Sequence, residues 1–222
     1  SVEKLQKALQ AKAKLAVDCR FYTLWDKVWR WDVLVEAYRR CRANGGVPGV
    51  DDQSFAVIES DGVEPWLTAL REELRRKEYR PQPLLRVWIP KASGGQRPLG
   101  IPTIRDRVVQ MAVLLVIGPI FEVDLCDEQY GFRSEADAKM AVRRTYYHVA
   151  ERGLREVVDA DLSDYFNTIP HGPLMRCVSR RIADGRVLSV VKAWLEAPAV
   201  ERQGRREQRT TAAADFHRGT PQ

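Results

Sequence analysis

Apolar residues in the opening stretch "SVEKLQKALQAKAKLAVD" fall at Leu5, Leu9, Ala13 and Leu15 or Val17 among lysines, a three-and-four spacing that predicts an amphipathic helix. The spacing returns in "WDKVWRWDVLVEAYRRCRANGG", where Val28, Trp31, Leu34, Val35 and Tyr38 form one stripe suited to core packing. "NGG" and then "VPG" end that helix with residues that tolerate left-handed or fixed backbone angles. "GVEPWLTALREELRRKEYRPQP" predicts a further amphipathic helix, broken by Pro81 and Pro83. "LLRVWIPK" and "RPLGIP" flank the turn "ASGGQ", the pattern of a hairpin carrying Lys91 and Arg97 near its tip. The run "VVQMAVLLVIGPIF" from Val108 is the longest apolar one, carries Gln110, Gly118 and Pro119 and is too short to span a bilayer, so it reads as a buried helix ending near Gly118. In "VVDADLSDYFNTIPH", Val157 to His171, Asp159, Asp161 and Ser163 alternate with Val158, Ala160 and Leu162, which predicts a strand running into a turn at Asp164 and Tyr165. No internal repeat is present.

Composition narrows the partner. The 222 residues are 45% hydrophobic, enough for one large or two modest cores, and 30% charged, which argues against a membrane protein. Lys and Arg number 36 against 30 Asp and Glu, a net charge of +6 that favours an anionic partner, nucleic acid first. Cys19, Cys41, Cys126 and Cys177 show no paired spacing, so neither a zinc site nor a disulfide framework is indicated. That usage, with no signal-peptide pattern at the first residues, fits a cytoplasmic protein.

Lys91 and Arg97 stand six residues apart across a Gly-containing loop, where a point charge and a planar fork could hold a polyphosphate between them; two solvated cations are the commoner outcome for such a pair taken alone. Of the three acids Asp159, Asp161 and Asp164, alternation alone does not say which is chemical. "ERQGRREQRT", Glu201 to Thr210, reads equally as a mobile basic loop or a solvated hairpin.

Order and spacing together are more specific. "GVPGVDDQSF", "IPKASGGQRPLGIPTIRDRVVQ", "YGFR", "DADLSDYFNTIPH" and "GTPQ" run almost continuously through Tyr22 to Gln222, and on them the chain resembles the reverse transcriptases of group II introns, the intron maturases and their domesticated bacterial relatives. The resemblance implies an RNA-directed DNA polymerase with an α+β fold: mostly helical fingers, a β-hairpin over the nucleotide site and an incomplete antiparallel palm sheet. It implies Mg²⁺, with Mn²⁺ as an alternative, held by the carboxylate of Asp161 and the backbone carbonyl of Leu162. Asp164 and Tyr165 would offer backbone N–H groups beneath the triphosphate, and Phe166 would be the ring that excludes a ribose 2′-hydroxyl, ordinary core packing being the alternative. Lys91 and Arg97 match residues that grip the incoming deoxynucleoside triphosphate, and Gln222 matches a residue beside its sugar. Arg133 in "YGFR" is equally a fold brace or a template contact. The family continues that motif with Pro and a basic residue, whereas "SEADAK" places acids at Glu135 and Asp137, which should weaken any RNA contact there.

The implied partners are an RNA template, a DNA primer and deoxynucleoside triphosphates, with intron RNA and a homodimer left open and no membrane. Residues 1–50 would be a helical N-terminal extension, 51–110 the first part of the fingers, 111–170 the first part of the palm with the catalytic Asp, and 171–222 the second part of the fingers. The family also needs a second acid pair after "GTPQ". Asp51-Asp52 does not match it, since Gly49 stands where an aromatic belongs and the pair precedes Asp161. The expectation is therefore an N-terminal fragment, inactive by itself, of a polymerase that extends a DNA primer on RNA. The alternative is a non-catalytic RNA-binding or oligomerisation module derived from such an enzyme.

Overall fold

The computed structural model describes residues 1–90, 94–133, 136–162, 164–203 and 206–210, with backbone alone at 167, 202–203 and 206–210. Its order is α1 Val2–Leu15, α2 Trp25–Val28, α3 Trp31–Asn44, α4 Phe55–Asp61, α5 Val63–Arg75, β1 Leu84–Pro90, β2 Gln96–Ile101, α6 Ile104–Phe121, α7 Ala138–Tyr146 running into a π-turn at Tyr147–Glu151, α8 Tyr165–Thr168, α9 His171–Arg181, α10 Gly185–Leu195, β3 Ala199–Gln203 and β4 Arg206–Thr210. The fold is α+β: helices around one apolar core and a four-stranded sheet of order β2-β1-β3-β4.

The long helix predicted after Trp25 is two helices. Asp184 Oδ2 accepts the N–H groups of Leu24 and Trp25, each at 2.8 Å, and fixes the start of α2. Arg30 then adopts an extended backbone and its carbonyl starts α3 by accepting from Val33 and Leu34. The restart shifts the helical phase. Val33, Leu34, Ala37, Tyr38 and Cys41 form the buried face, while Trp31 and Val35 of the predicted stripe are exposed.

Helix α6 is buried on most of its circumference, at Val108, Val109, Ala112, Val113, Leu115, Val116 and Ile120, because it packs between α1, α2 and α3. It extends beyond Gly118 to Phe121, with Pro119 inside its last turn. Proline has no N–H, so the Leu115 carbonyl loses its intrahelical donor. Gln6 of α1 supplies the replacement, its side-chain amide donating to that carbonyl at 3.0 Å.

The N-terminus of α6 is tied to the sheet. Thr103 caps it, its hydroxyl accepting from the Asp106 N–H at 3.1 Å. The buried Asp106 carboxyl group accepts from Tyr79 Oη at 2.7 Å and from the Gln82 N–H at 2.9 Å, just before β1. Trp194, at the end of α10, donates to Tyr79 Oη at 2.9 Å, just before β3. Burial, followed by the Asp106 charge, pushes the Tyr79 hydroxyl far above its ordinary value, so it stays a neutral donor. Gly49 seals the far side: a Cβ there would stand 2.7 Å from the Thr103 backbone nitrogen.

Strands β1 and β2 form the predicted antiparallel hairpin, Leu85 opposite Ile101 and Pro90 opposite Gln96. The sheet as a whole is mixed, since β3 joins β1 in parallel, Leu84 beside Ala199. Of the stretch from Glu201 to Thr210, the described residues are strands, β3 pairing β4 antiparallel from Ala199 opposite Thr210 to Gln203 opposite Arg206. All four cysteines are free, and burial pushes the Cys41 thiol up to about 11, which keeps it unreactive. Among the described residues no helix is long and apolar enough to cross a membrane.

A second buried node closes α9 and α10 onto the N-terminal helices. Arg181 caps the C-terminal end of α1 through the carbonyls of Ala13 (2.9 Å), Ala16 (3.4 Å) and Val17. Asp184 adds the N–H groups of Arg186 (2.9 Å) and Val187 (3.2 Å) to those of α2. Burial works against its ionisation, but these four donors outweigh burial and hold its carboxyl below the ordinary 3.8. A depressed folded value stabilises above the unfolded one and is lost as pH falls through the folded one. Asp184→Ala should therefore cost roughly 2–4 kcal/mol at neutral pH. In urea unfolding, that gap should hold from pH 7 down to about 4 and narrow below it; a gap independent of pH would refute the role.

Candidate active site

Arg97 lies on β2 opposite Ile89 and is exposed. Alternation puts it on the sheet face of Val87 and Leu99, an apolar pair leading up to a cation. Its expected companion Lys91 lies outside the described residues, as do Gln222 and Glu135.

The segment from 153 to 162 carries neither helix nor strand. The strand expected at Val157–Leu162 is absent because a strand exists by pairing, and no described strand lies beside this one. Val158, at 93% exposed, and Leu162, at 70%, accordingly have no cover. Asp159 and Asp161 are exposed too, and among the described residues no hydrogen bond or ion pair involves the Asp161 carboxylate. Asp164 takes a left-handed backbone, φ 51° and ψ 34°, which Asp tolerates better than most residues, and its carbonyl accepts from the Thr168 N–H at 3.2 Å. That turn opens α8 with Tyr165 and Phe166.

Phe166 is 72% exposed, so it is not packed into the core. Its ring meets Tyr165 at 5.4 Å between centroids and, edge to face, Phe132 at 6.0 Å. The contact with Phe132 is a feature that motif reading missed; the aromatic inside the "YGFR" turn was its one signal. Arg133 is a brace: Nε donates to Glu122 at 2.8 Å, and Nη1 to the carbonyls of Cys126 (2.9 Å) and Gln129 (3.1 Å). Asp137, the described acid of the divergent "SEADAK", caps α7 by accepting from the Met140 N–H at 2.8 Å. Asp51 sits in a loop, accepting from the Gln53 N–H at 3.3 Å, and burial pushes its carboxyl above the ordinary value.

An open carboxylate at Asp161 followed by the Leu162 carbonyl is an oxygen donor set that fits a hard divalent cation. Among the described residues no group of three or more His, Cys, Asp or Glu is assembled for a metal, so these two donors would fill only part of a coordination shell.

The profile described as reverse transcriptase (RNA-dependent DNA polymerase) matches residues 89–222, from the end of β1 through β2, Asp161 and α8. The chain belongs to that family, in its group II intron and maturase branch. It is 35% identical over 206 residues to Protein YkfC of Escherichia coli, covering 90% of this chain and 54% of that protein. It is 28% identical over 188 residues to the group II intron-encoded protein LtrA of Lactococcus lactis, covering 83% of this chain and 30% of that one. A shorter match, 24% over 95 residues, covering 43% of this chain and 13% of the relative, is to Nuclear intron maturase 1 of Arabidopsis thaliana. The chain thus spans about half the length of YkfC and less of the others.

Because Asp161 is exposed and has no partner among the described residues, Asp161→Asn should leave the urea-unfolding stability of residues 1–222 within about 0.5 kcal/mol of wild type. Arg133→Ala, which strands Glu122 and two carbonyls, should cost roughly 2–3 kcal/mol on the same measurement. Equal losses in both variants would contradict the division between site and scaffold.

Proposed function

We propose that the chain forms the fingers and the first part of the palm of an RNA-directed DNA polymerase that extends a DNA primer on an RNA template. The carrying observation is the Asp161 carboxylate, exposed and without a partner among the described residues, within the family match. No contact among the described residues uses this acid, and chemistry on phosphates does. The lobes follow the sequence: 51–110 and 171–222 as fingers, 111–170 as first palm, 1–50 as a helical extension. Parallel pairing of β1 with β3 supports grouping the two fingers segments.

In this reading Asp161 and the Leu162 carbonyl hold Mg²⁺, with Mn²⁺ as an alternative. Arg97, with Lys91, clamps the triphosphate of the incoming deoxynucleotide, because a guanidinium fork and an ammonium together match its oxygens. Backbone N–H groups at Asp164 and Tyr165 lie beneath the phosphates, Phe166 stands against the sugar, and Gln222 lies beside it. The bound ion supplies activation of the primer 3′-hydroxyl and neutralises charge on the triphosphate. Intron RNA and a second copy of the chain are further partners of the same proposal, and the net charge of +6 supports a nucleic-acid partner.

Primer extension tests this. In the full-length protein Asp161→Asn should lower the rate at least roughly a hundredfold, since an amide oxygen does not neutralise the ion, while Asp159→Asn should cost far less. A near wild-type rate for Asp161→Asn would overturn the catalytic reading in favour of an RNA-binding or oligomerisation module.

A further inference from the structure

Two of the four non-glycine residues with positive φ among those described, Phe132 at 61° and Asp164 at 51°, bracket one pair of rings. For Asp the left-handed region is tolerable; for a bulky aromatic residue it is an outlier that folding normally removes by placing Gly there. Burial does not explain the choice. Phe132 is 98% exposed, so its ring contributes nothing to the core. Among the described residues its one ring contact is Phe166, edge to face, with 6.0 Å between centroids and 84° between planes.

The turn that presents Phe132 is rigidly held. Arg133 directly follows it and is fixed by Glu122 and by the carbonyls of Cys126 and Gln129, so the strained residue cannot relax by letting the turn swing. On the other side Tyr165 meets the Phe166 ring at 5.4 Å and 63°. A phenyl ring on the first turn of a four-residue helix would otherwise move among rotamers. Phe132 and Tyr165 flank it, and its other surface is open.

We propose that Phe132 is a positioning residue for sugar selection: it fixes the Phe166 ring so that a ribose 2′-hydroxyl meets a wall that does not yield. The inference rests on the proposed role of Phe166 and deepens it, because a ring that can turn aside excludes a hydroxyl poorly however well it is placed. Phe132 itself touches neither sugar nor phosphate in this account. Its loss should change discrimination and leave deoxynucleotide chemistry in place.

The test uses full-length protein on an RNA template with a DNA primer, measuring kcat/KM for a deoxynucleotide and for the matching ribonucleotide. Phe166→Ala should raise relative ribonucleotide use strongly. Phe132→Ala should raise it roughly three- to tenfold, the scale of one edge-to-face ring contact, with deoxynucleotide kcat within about twofold of wild type. Phe132→Tyr should restore discrimination. Phe132→Gly, which removes the ring and relieves the backbone, should discriminate as poorly as Phe132→Ala while melting no lower than wild type, separating ring loss from misfolding. Unchanged discrimination in Phe132→Ala beside a relaxed Phe166→Ala would overturn the role of Phe132 and leave that of Phe166 standing. Unchanged discrimination in Phe166→Ala would overturn both.

Discussion

A single buried carboxyl group, Asp106, holds the working hairpin to the core. It lies in the first turn of α6, where the helix dipole and unsatisfied N–H groups favour negative charge, and it spends its oxygens on Tyr79 Oη and the Gln82 N–H. A buried acid without such partners would cost several kcal/mol, so these partners are obligatory. Through Gln82 the group sets where β1 begins, and through Tyr79 and Trp194 it sets where α10 hands over to β3. The position of Arg97 on β2 follows, because β2 pairs with β1. The proposed phosphate grip is thus anchored in a core that the nucleotide never touches.

Around this anchor the molecule divides by what each part uses its residues for. Helices α1, α3, α5 and α6 bury their apolar faces, and polar groups at the helix ends find partners: Gln6 for the carbonyl freed by Pro119, Arg181 for the end of α1, Asp184 for the starts of α2 and α10. Four apolar side chains and one acid between Phe132 and Phe166 do the opposite. Val158, Leu162, Phe166 and Phe132 are open to solvent, and Asp161 has no partner among the described residues. Residues that stabilise nothing where they stand are free to be selected for what they bind.

Periodicity showed α1, α5 and the β1–β2 hairpin because each depends on local patterning that burial then follows. The break between α2 and α3 was invisible to it, since it lies in the extended backbone of Arg30, and the start of α2 depends on Asp184, more than 150 residues away in sequence. Asp106 and Arg181 look like surface charges in "TIRDR" and "SRRIADG"; a window of neighbours does not reveal that Tyr79 or the end of α1 will arrive beside them. Weak signals existed, in Thr103 three residues before Asp106 and in Asp184 before "GRVLSVV", both capping patterns. Asp161 was located by motif, yet the strand under it was not formed, because alternation predicts which face a strand would bury and not whether a neighbour is present. The contact between Phe132 and Phe166 joins two motifs that sequence reading treated separately.

Amide hydrogen exchange in Tyr79→Phe tests the anchor most directly. The substitution keeps the ring in the core and deletes only the hydroxyl that links Asp106 to Trp194. If this link places the sheet, protection of the amides in β1 and β3 should fall at least roughly tenfold, while that of the middle of α6 changes much less. Unaltered protection in both strands, or the same drop in strands and helix, would contradict it.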